Sequence, residues 1–181
     1  GDYTEHGVWG LSNNGDLYAV DWWSGQTDPA TWIDAWLALV KQYRPDRAFE
    51  EKGVILRAVD GAINKRMRET GVYVIREGLP SASNKGARAM GFQARASAGA
   101  VYLPNRAPNG APWPTRLLNQ LCAFHGQGGQ VDDMVDVCSL AARGLDSMWN
   151  AVEPRKPDPE KDFADMPTVG ELMQPHRTET W

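Results

Sequence analysis

The stretch RAFEEKGVILRAVDGAINKRMRETGVYVI, residues 47–75, carries the pattern that decides the fold. Residues 47–50 are a short strand candidate, and the continuous apolar run at residues 72–75 is typical of a buried strand. Between them, residues 54–69 are predicted to be helical, ending before Gly71, because four apolar side chains recur at helical spacing: Ile55, Val59, Ile63 and Met67. A strand, a helix and a strand in this order predict a parallel α/β unit.

The segments on either side add a hairpin, more helices and a short strand. Two β-rich runs within residues 7–23, separated by an Asn/Gly/Asp turn, predict the hairpin. Asp28 followed by Pro29 is typical of a helix start, so residues 29–43 are predicted to be helical. The remaining predicted elements are a loop at 78–83, a helix at 84–97, a strand at 100–103, and helices at 113–124 and 132–149. The sequence therefore predicts a mixed α/β domain over residues 1–150.

Residues 151–181 differ in character from this domain. Five prolines lie there among charged residues, with few apolar side chains between them. Such a composition buries too little apolar surface to fold alone. We therefore expect a Pro-rich acidic tail that docks on another component.

Composition excludes several classes of protein. A chain of 181 residues is long enough for one ordinary domain with a hydrophobic core. No apolar run approaches the roughly 20 residues that a membrane span requires, and the first residues lack a secretory signal pattern. Cys122 and Cys138 lack ligand-spaced histidines, so both are interpreted as buried free thiols in a reducing compartment. We therefore expect an intracellular protein with no membrane partner.

Charge is unevenly distributed along the chain. The net charge is −4, yet residues 52–116 carry 11 Lys/Arg against 3 Asp/Glu, whereas residues 1–51 carry 3 against 9. A basic middle between acidic ends suits a protein that brings a polyanion to a carboxylate-lined metal site. The alternative is a chance clustering of surface charges with no function.

The sequence VDDMVD, residues 131–136, places three aspartates at the start of the last predicted helix. Asp136 lies four residues after Asp132 and three after Asp133, so all three can share part of one helix face. A divalent metal ion is one explanation, because like charges this close repel unless a cation lies among them. The other explanation needs no ligand, since the N-terminal end of a helix favours carboxylates.

A second acidic candidate lies at the end of the strand at residues 47–50. Successive side chains of a strand point to opposite faces, so only one of Glu50 and Glu51 can enter a given site, and the spacing leaves either open. A solvated pair in a loop is the alternative. The chain contains neither a nucleophile–base pair nor the GxxxxGK[ST] phosphate loop, so neither covalent catalysis nor nucleotide binding of that type is predicted.

Seven motifs in order resemble the C-terminal nuclease domain of the large subunit of tailed-phage terminases: GDYTEHGVWG, LYAVDWWSG, YRPDRAFEEKG, NKGARA, AGAVYLP, APW and LCAFHGQGGQVDDMVDV. The resemblance covers residues 1 to about 148. It implies an RNase H-like fold, with a mixed sheet flanked by helices, and cleavage of double-stranded DNA during genome packaging with two Mg²⁺ or Mn²⁺ ions. In that family, a first strand with a further aspartate comes just before the segment that matches GDYT. The resemblance therefore also implies that this strand is missing from the sequence.

The resemblance assigns roles to individual residues. Glu50, Asp132 and Asp133 match the family's catalytic and metal-binding acids. Asp2 matches a further acidic position beside the metal ions, and Asp136 matches a supporting position.

The expected partners follow from the same resemblance. Lys85 and Arg88, three residues apart on a predicted helix, are candidates for binding DNA phosphates, with a solvated helix face as the alternative. The resemblance implies double-stranded DNA, the terminase ATPase domain, the small terminase subunit and the portal as partners, in the host cytoplasm. Two other functions remain open: another RNase H-like nuclease such as a Holliday-junction resolvase, and a non-catalytic DNA-binding or docking module.

Overall fold

The computed structural model describes residues 3–81, 85–126 and 131–148, and at Ile55 and Lys85 it describes the backbone alone. The elements in chain order are β1 (Thr4–Leu11), β2 (Leu17–Gly25), α1 (Pro29–Tyr43), β3 (Arg47–Lys52), α2 (Val54–Thr70), β4 (Ile75–Pro80), α3 (Lys85–Ser97), β5 (Val101–Tyr102), α4 (Trp113–Ala123) and α5 (Asp133–Met148). Among these helices, none combines the length and the apolar character that crossing a membrane would need. The predicted tail at 151–181 lies outside the described residues, and the division into domain and tail stays a prediction.

The described strands form two small sheets. In the first, β1 pairs antiparallel with β2, and β5 pairs parallel with the start of β2. In the second, β3 pairs parallel with β4, from Arg47 opposite Ile75 to Lys52 opposite Pro80. The mixed α/β class, the hairpin and the parallel strand–helix–strand unit are therefore confirmed.

Local sequence signals set the ends of the first two helices. The Asp28 carboxylate accepts a hydrogen bond from the backbone N–H of Thr31 at 3.1 Å, which satisfies one of the free donors at the start of α1. Arg44 ends α1 in the left-handed conformation, with φ of 47°. Gly71 ends α2 in the same region, with φ of 67°, which glycine adopts without a steric cost. Both helices lie within one residue of their predicted bounds.

The hydrophobic core lies in two clusters. One joins α3, α4 and α5 to β2 and contains the three most deeply buried side chains: Leu117, Met134 and Cys138. The other joins α1 to α2 through Ile33, Leu37, Ile63 and Met67. Two packed layers of helices are therefore positioned around the strands, as an α/β domain requires.

The fourth strand lies further along the chain than the sequence predicts. The prediction of a strand at 72–75 is wrong apart from its last residue, and the prediction of a loop at 78–83 is wrong for residues 78–80. Val72 and Val74 instead pack against the α1–α2 cluster from the connecting segment. The apolar run is buried because it covers the helices, while β4 begins where β3 offers backbone partners.

The two cysteines differ in exposure, which corrects one prediction and leads to another. Cys138 is fully buried, and burial raises the pKa of its thiol far above the usual range. Cys122 is exposed, because it lies with Leu118 on the face of α4 opposite the core residue Leu117. The expectation that both thiols are buried is therefore wrong for Cys122.

We expect one thiol of the native protein to react rapidly with a thiol reagent such as dithionitrobenzoate at pH 8. Cys122 is exposed, whereas Cys138 is buried and held protonated, so the second thiol should react only after unfolding in denaturant. In the variant Cys122→Ser, the rapid reaction of the native protein should be absent, and one thiol should still react after unfolding. Rapid reaction of two thiols in the native wild-type protein would contradict this assignment.

Candidate functional site

The end of β3 presents two adjacent carboxylates to opposite faces of its sheet. The ring of Phe49 lies against Gly144 of α5, so Phe49 and Glu51 share the face that α5 covers. Glu50 points to the other face, toward α2. The question that the sequence leaves open is therefore answered in favour of Glu51 on the side of the α5 aspartates.

A single arginine joins Glu51 to the first turn of α5. Nη1 of Arg88, on α3, donates to both carboxylate oxygens of Glu51 at 3.2 and 3.1 Å, and Nη2 lies 3.4 Å from Oδ1 of Asp136. The hydroxyl of Ser81 also donates to Glu51. The Arg88 side chain is only 11% exposed, and its Nε is buried without a hydrogen-bond partner among the described residues. Two carboxylates from distant parts of the chain thus meet at one guanidinium, and we call this group the Arg88 cluster.

The remaining predicted aspartates lie beside this cluster or outside the described residues. Oδ2 of Asp133 accepts a hydrogen bond from the backbone N–H of Tyr3 at 3.3 Å, which ties the start of the hairpin to α5. Asp132 is buried just before α5, and its carbonyl oxygen accepts the N–H of Asp136 at 3.0 Å. Asp2 lies outside the described residues.

Glu50 lies in a separate ion-pair network on the opposite face. Nη2 of Arg76, on β4, donates to both carboxylate oxygens of Glu50 at 3.0 Å, and Nε donates to Oε2 at 3.2 Å. Nη1 of the same arginine donates to Asp60 at 2.7 Å and to Asn64 at 3.1 Å, both on α2. A catalytic role for Glu50 stays a prediction, and the structure does not bring its carboxylate to the aspartates of α5.

A cavity of about 300 Å³ separates the edges of β1 and β3. Thr4 to His6 line one side and Ala48 to Glu51 the other, while Trp36 and Leu140 represent its apolar walls. Within the described part of the chain, β1 pairs only with β2 and β3 only with β4. The cavity therefore lies between two strands, β1 and β3, that do not pair with each other.

His6 is a half-buried titratable group at this cavity. Its Nε2 lies 3.2 Å from the carbonyl oxygen of Trp32, and because a carbonyl only accepts, Nε2 carries the hydrogen. The ring stacks on Trp23 with a centroid distance of 5.1 Å. Burial lowers the pKa of His6 to about 4, although the hydrogen bond to Trp32 opposes this shift.

Glu5 is a buried carboxylate that sequence reasoning did not single out. It accepts hydrogen bonds from Nε1 of Trp22 at 2.6 Å and from the hydroxyl of Ser24 at 2.7 Å, and Nη2 of Arg116 lies 3.4 Å away. Its side chain is 2% exposed. The available signal was its alternation with Thr4 and His6 on the first strand, which places Glu5 on the same face of the hairpin as Ser24, its partner on β2, and the buried Trp22. Three donors leave it little capacity to bind a ligand.

The carboxylates have the chemistry of a Mg²⁺ or Mn²⁺ site but not its arrangement. Oxygen ligands from Asp and Glu are those that hard divalent ions prefer. Over residues 3–81, 85–126 and 131–148, however, no group of three or more metal-binding side chains is arranged to hold an ion. The cation that lies between Glu51 and Asp136 is the guanidinium of Arg88. In this arrangement the residues do not fit a divalent metal ion.

Part of the basic middle of the chain pairs with its acidic flanks. Salt bridges join five arginines of residues 52–116 to carboxylates outside that segment: Arg66, Arg76, Arg88, Arg95 and Arg116. Arg88, predicted to bind DNA, is one of them and is mostly buried, whereas the side chain of Lys85 is not described. DNA binding by either residue stays a prediction.

Comparison with known proteins yields only a weak structural likeness. No family model matches the chain, and no curated protein matches it. Among solved structures, the chain is similar to RuvC of T. thermophilus in complex with a Holliday junction substrate, at 13% sequence identity and a TM-score of 0.42, over 81% of this chain and 89% of that chain. A likeness of this extent carries no information about function.

Proposed function

We propose that the chain is a DNA endonuclease domain of the terminase large-subunit type, which hydrolyses double-stranded DNA during viral genome packaging. The observation that supports this proposal is the Arg88 cluster, where Glu51 from β3 meets Asp136 from the first turn of α5. Asp133 lies on the same turn. The acidic segments AFEEKG and VDDMVD, which the resemblance identifies as the site, thus converge on one face of the β3–β4 sheet.

Within this proposal Glu51 replaces Glu50 as the strand residue of the active site. Glu51 shares a face with the α5 aspartates, while Arg76 holds Glu50 on the opposite face. Asp133 is the second acid, and Asp132, which is buried, supports the start of α5. The resemblance implies a Mg²⁺ or Mn²⁺ ion for this hydrolysis, and dependence of cleavage on such an ion is part of the proposal. The terminase ATPase domain, the small subunit and the portal are partners within the same proposal.

A non-catalytic DNA-binding or docking module is the second candidate, and one observation favours it. The carboxylates of the Arg88 cluster are neutralised by an internal arginine and lack a metal-binding arrangement among the described side chains. A module of this kind would bind DNA without cleaving it, so a cleavage assay separates the two candidates.

We expect the wild-type chain to nick supercoiled plasmid DNA in the presence of millimolar Mn²⁺ and to lose this activity in EDTA. Glu51→Gln and Asp133→Asn should each lower the nicking rate at least tenfold, because each removes a carboxylate charge from the proposed active site. Glu50→Gln is the matched control, since it removes the neighbouring charge on the opposite face, and we expect less than a threefold change. Agarose gels of the relaxed product give the rates.

Three outcomes would change this conclusion. Absence of Mn²⁺-dependent nicking by the wild-type chain would favour the docking module. A loss of activity in Glu50→Gln, with Glu51→Gln unchanged, would restore Glu50 as the catalytic residue. Strong competition by a four-way junction against linear duplex would favour a Holliday-junction resolvase.

A further inference from the structure

The cavity between β1 and β3 is bordered by a strand edge on each side. Among the described strands, β1 pairs only with β2 and β3 only with β4, so each has one edge without a strand partner. Thr4 to His6 line the cavity from β1, and Ala48 to Glu51 line it from β3. The backbone N–H and C=O groups of such an edge can pair with a further strand. The cavity offers two of these edges to one occupant.

The distance between the two strands follows from α5, which packs against both. A Cβ on Gly7 of β1 would lie 3.0 Å from Cγ1 of Val137, and Gly144 lies against the ring of Phe49 on β3. From residue 137 to residue 144 the helix rises by about 10.5 Å, at about 1.5 Å a residue. Neighbouring strands of a sheet are about 4.8 Å apart, so two spacings are about 9.6 Å. Because the described β1 and β3 do not pair directly, the space between them has the width of one strand.

Apolar side chains cover this space on both faces. Leu140, which lies between the two contact positions on α5, lines one face. Helices α1 and α2 line the other face with Trp32, Trp36, Leu56, Val59 and Ile63. A strand with helices on both faces carries apolar side chains in both directions. The cavity therefore has the surroundings of a central strand.

The carboxylates that line the cavity require no charge from an occupant. Three glutamates lie there, and each is already paired with an arginine of the chain: Glu5 with Arg116, Glu50 with Arg76 and Glu51 with Arg88. An occupant with charged side chains in the cavity would lose their hydration and find no free partner among these groups. This charge balance favours an uncharged, apolar segment.

We propose that the cavity binds one extended apolar segment of another polypeptide, of about four residues, which pairs with β1 along one edge and with β3 along the other. The bound segment joins the two small sheets into one. Backbone hydrogen bonds on both edges supply the affinity, and the apolar walls select the side chains. This inference does not depend on the proposed nuclease function, because it rests only on strand edges, packing and charge around the cavity.

The test uses a short fluorescein-labelled peptide of alternating valine and isoleucine with a lysine at each end, and binding is measured by fluorescence anisotropy. Two derivatives carry N-methyl groups on alternate residues, one on the odd and one on the even set. Because successive N–H groups of a strand point to opposite edges, each derivative loses its donors to one of the two strands. We expect each to bind the wild-type chain at least tenfold more weakly than the parent peptide. Addition to a single edge would be weakened by only one of them.

A pair of leucine variants locates the site. Leu140→Asp places a charge in the wall of the cavity and should weaken binding of the parent peptide at least tenfold. Leu118→Asp is the matched control, because Leu118 is exposed on α4 and does not line the cavity, and we expect less than a twofold change. Hydrogen exchange of the wild-type chain gives a second measurement that needs no variant. The parent peptide should slow exchange of backbone amides within residues 4–6 and within residues 48–51.

Several results would overturn the proposal. They are the absence of saturable binding by the parent peptide, full affinity of either N-methylated derivative, protection of only one of the two strands, or an equal loss of affinity in Leu118→Asp. Protection of both edges in the wild-type chain before any peptide is added would also overturn it. The cavity would then be filled by the chain itself or by a second copy, and sedimentation would distinguish these two by mass.

Discussion

Gly144→Ala is expected to lower the free energy of unfolding by about 2 kcal/mol, although alanine forms helices better than glycine does. A Cβ at position 144 would lie 2.6 Å from Cγ and 2.7 Å from Cε2 of the Phe49 ring. Because Cγ is close to the backbone of β3, rotation of the Phe49 side chain cannot relieve this contact unless the strand moves. Overpacking costs about 1–3 kcal/mol, and three ring atoms closer than 3 Å place this site at the upper end, so about 2 kcal/mol remains after the gain of about 1 kcal/mol in helix propensity.

Two other helical glycines provide matched controls. A Cβ at Gly91 would be 3.9 Å from its nearest neighbours, and one at Gly61 would meet no described atom within 4 Å. Gly91→Ala and Gly61→Ala should therefore stabilise the protein by about 0.5–1 kcal/mol each. Urea unfolding followed by tryptophan fluorescence gives all three values. Adding Phe49→Leu should cost less in the Gly144→Ala background than in the wild type, and equal costs would show that the ring is not the obstacle.

Local signals in the sequence were sufficient for the elements that depend on local chemistry. Asp28 and Pro29 predict the start of α1, and Gly71 predicts the end of α2, because capping and the left-handed conformation involve only neighbouring residues. The hairpin follows from its turn residues in the same way. The parallel unit was predictable because a strand, a helix and a strand have few ways to pack.

The position of β4 was not predictable from local signals. Val72 and Val74 are as apolar as a buried strand requires, yet they cover helices, while Arg76 and Glu77 lie within the strand. The charges are accommodated because Arg76 pairs with Glu50 and Glu77 pairs with Arg47. Cross-strand and helix partners of this kind are distant in sequence, so no window of the chain reveals them.

The same limit applies to the site. The sequence locates two acidic segments, but both faces of the β3–β4 sheet are covered by helices, so alternation alone cannot tell which of Glu50 and Glu51 faces α5. The contact between Phe49 and Gly144 decides it. The role of Arg88 also depends on the packing of α3 beside α5, which brings its guanidinium to two carboxylates that no spacing rule connects.

The other large expected effect is a loss of stability in acid that His6 causes. Its ring is enclosed by Trp23 and Trp32, and burial lowers its pKa to about 4, whereas a histidine in the unfolded chain has a pKa near 6.5. Above pH 6.5 both states are neutral at this position. Between pH 6.5 and 4 the unfolded chain takes up a proton that the native chain does not, so acid favours unfolding. Below pH 4 both states are protonated, and His6 causes no further loss.

We therefore expect His6 to lower the free energy of unfolding by about 3 kcal/mol between pH 7 and pH 4. His6→Phe keeps a ring against Trp23 and removes the titration, so its urea-unfolding free energy should fall by about 3 kcal/mol less than that of the wild type over this range. His125→Gln removes a histidine in the exposed loop after α4 and should retain the wild-type loss due to His6. Carboxylates contribute equally to every form, so the difference between the curves isolates His6. Parallel curves for the wild type and His6→Phe would mean that the His6 ring is hydrated through the cavity between β1 and β3.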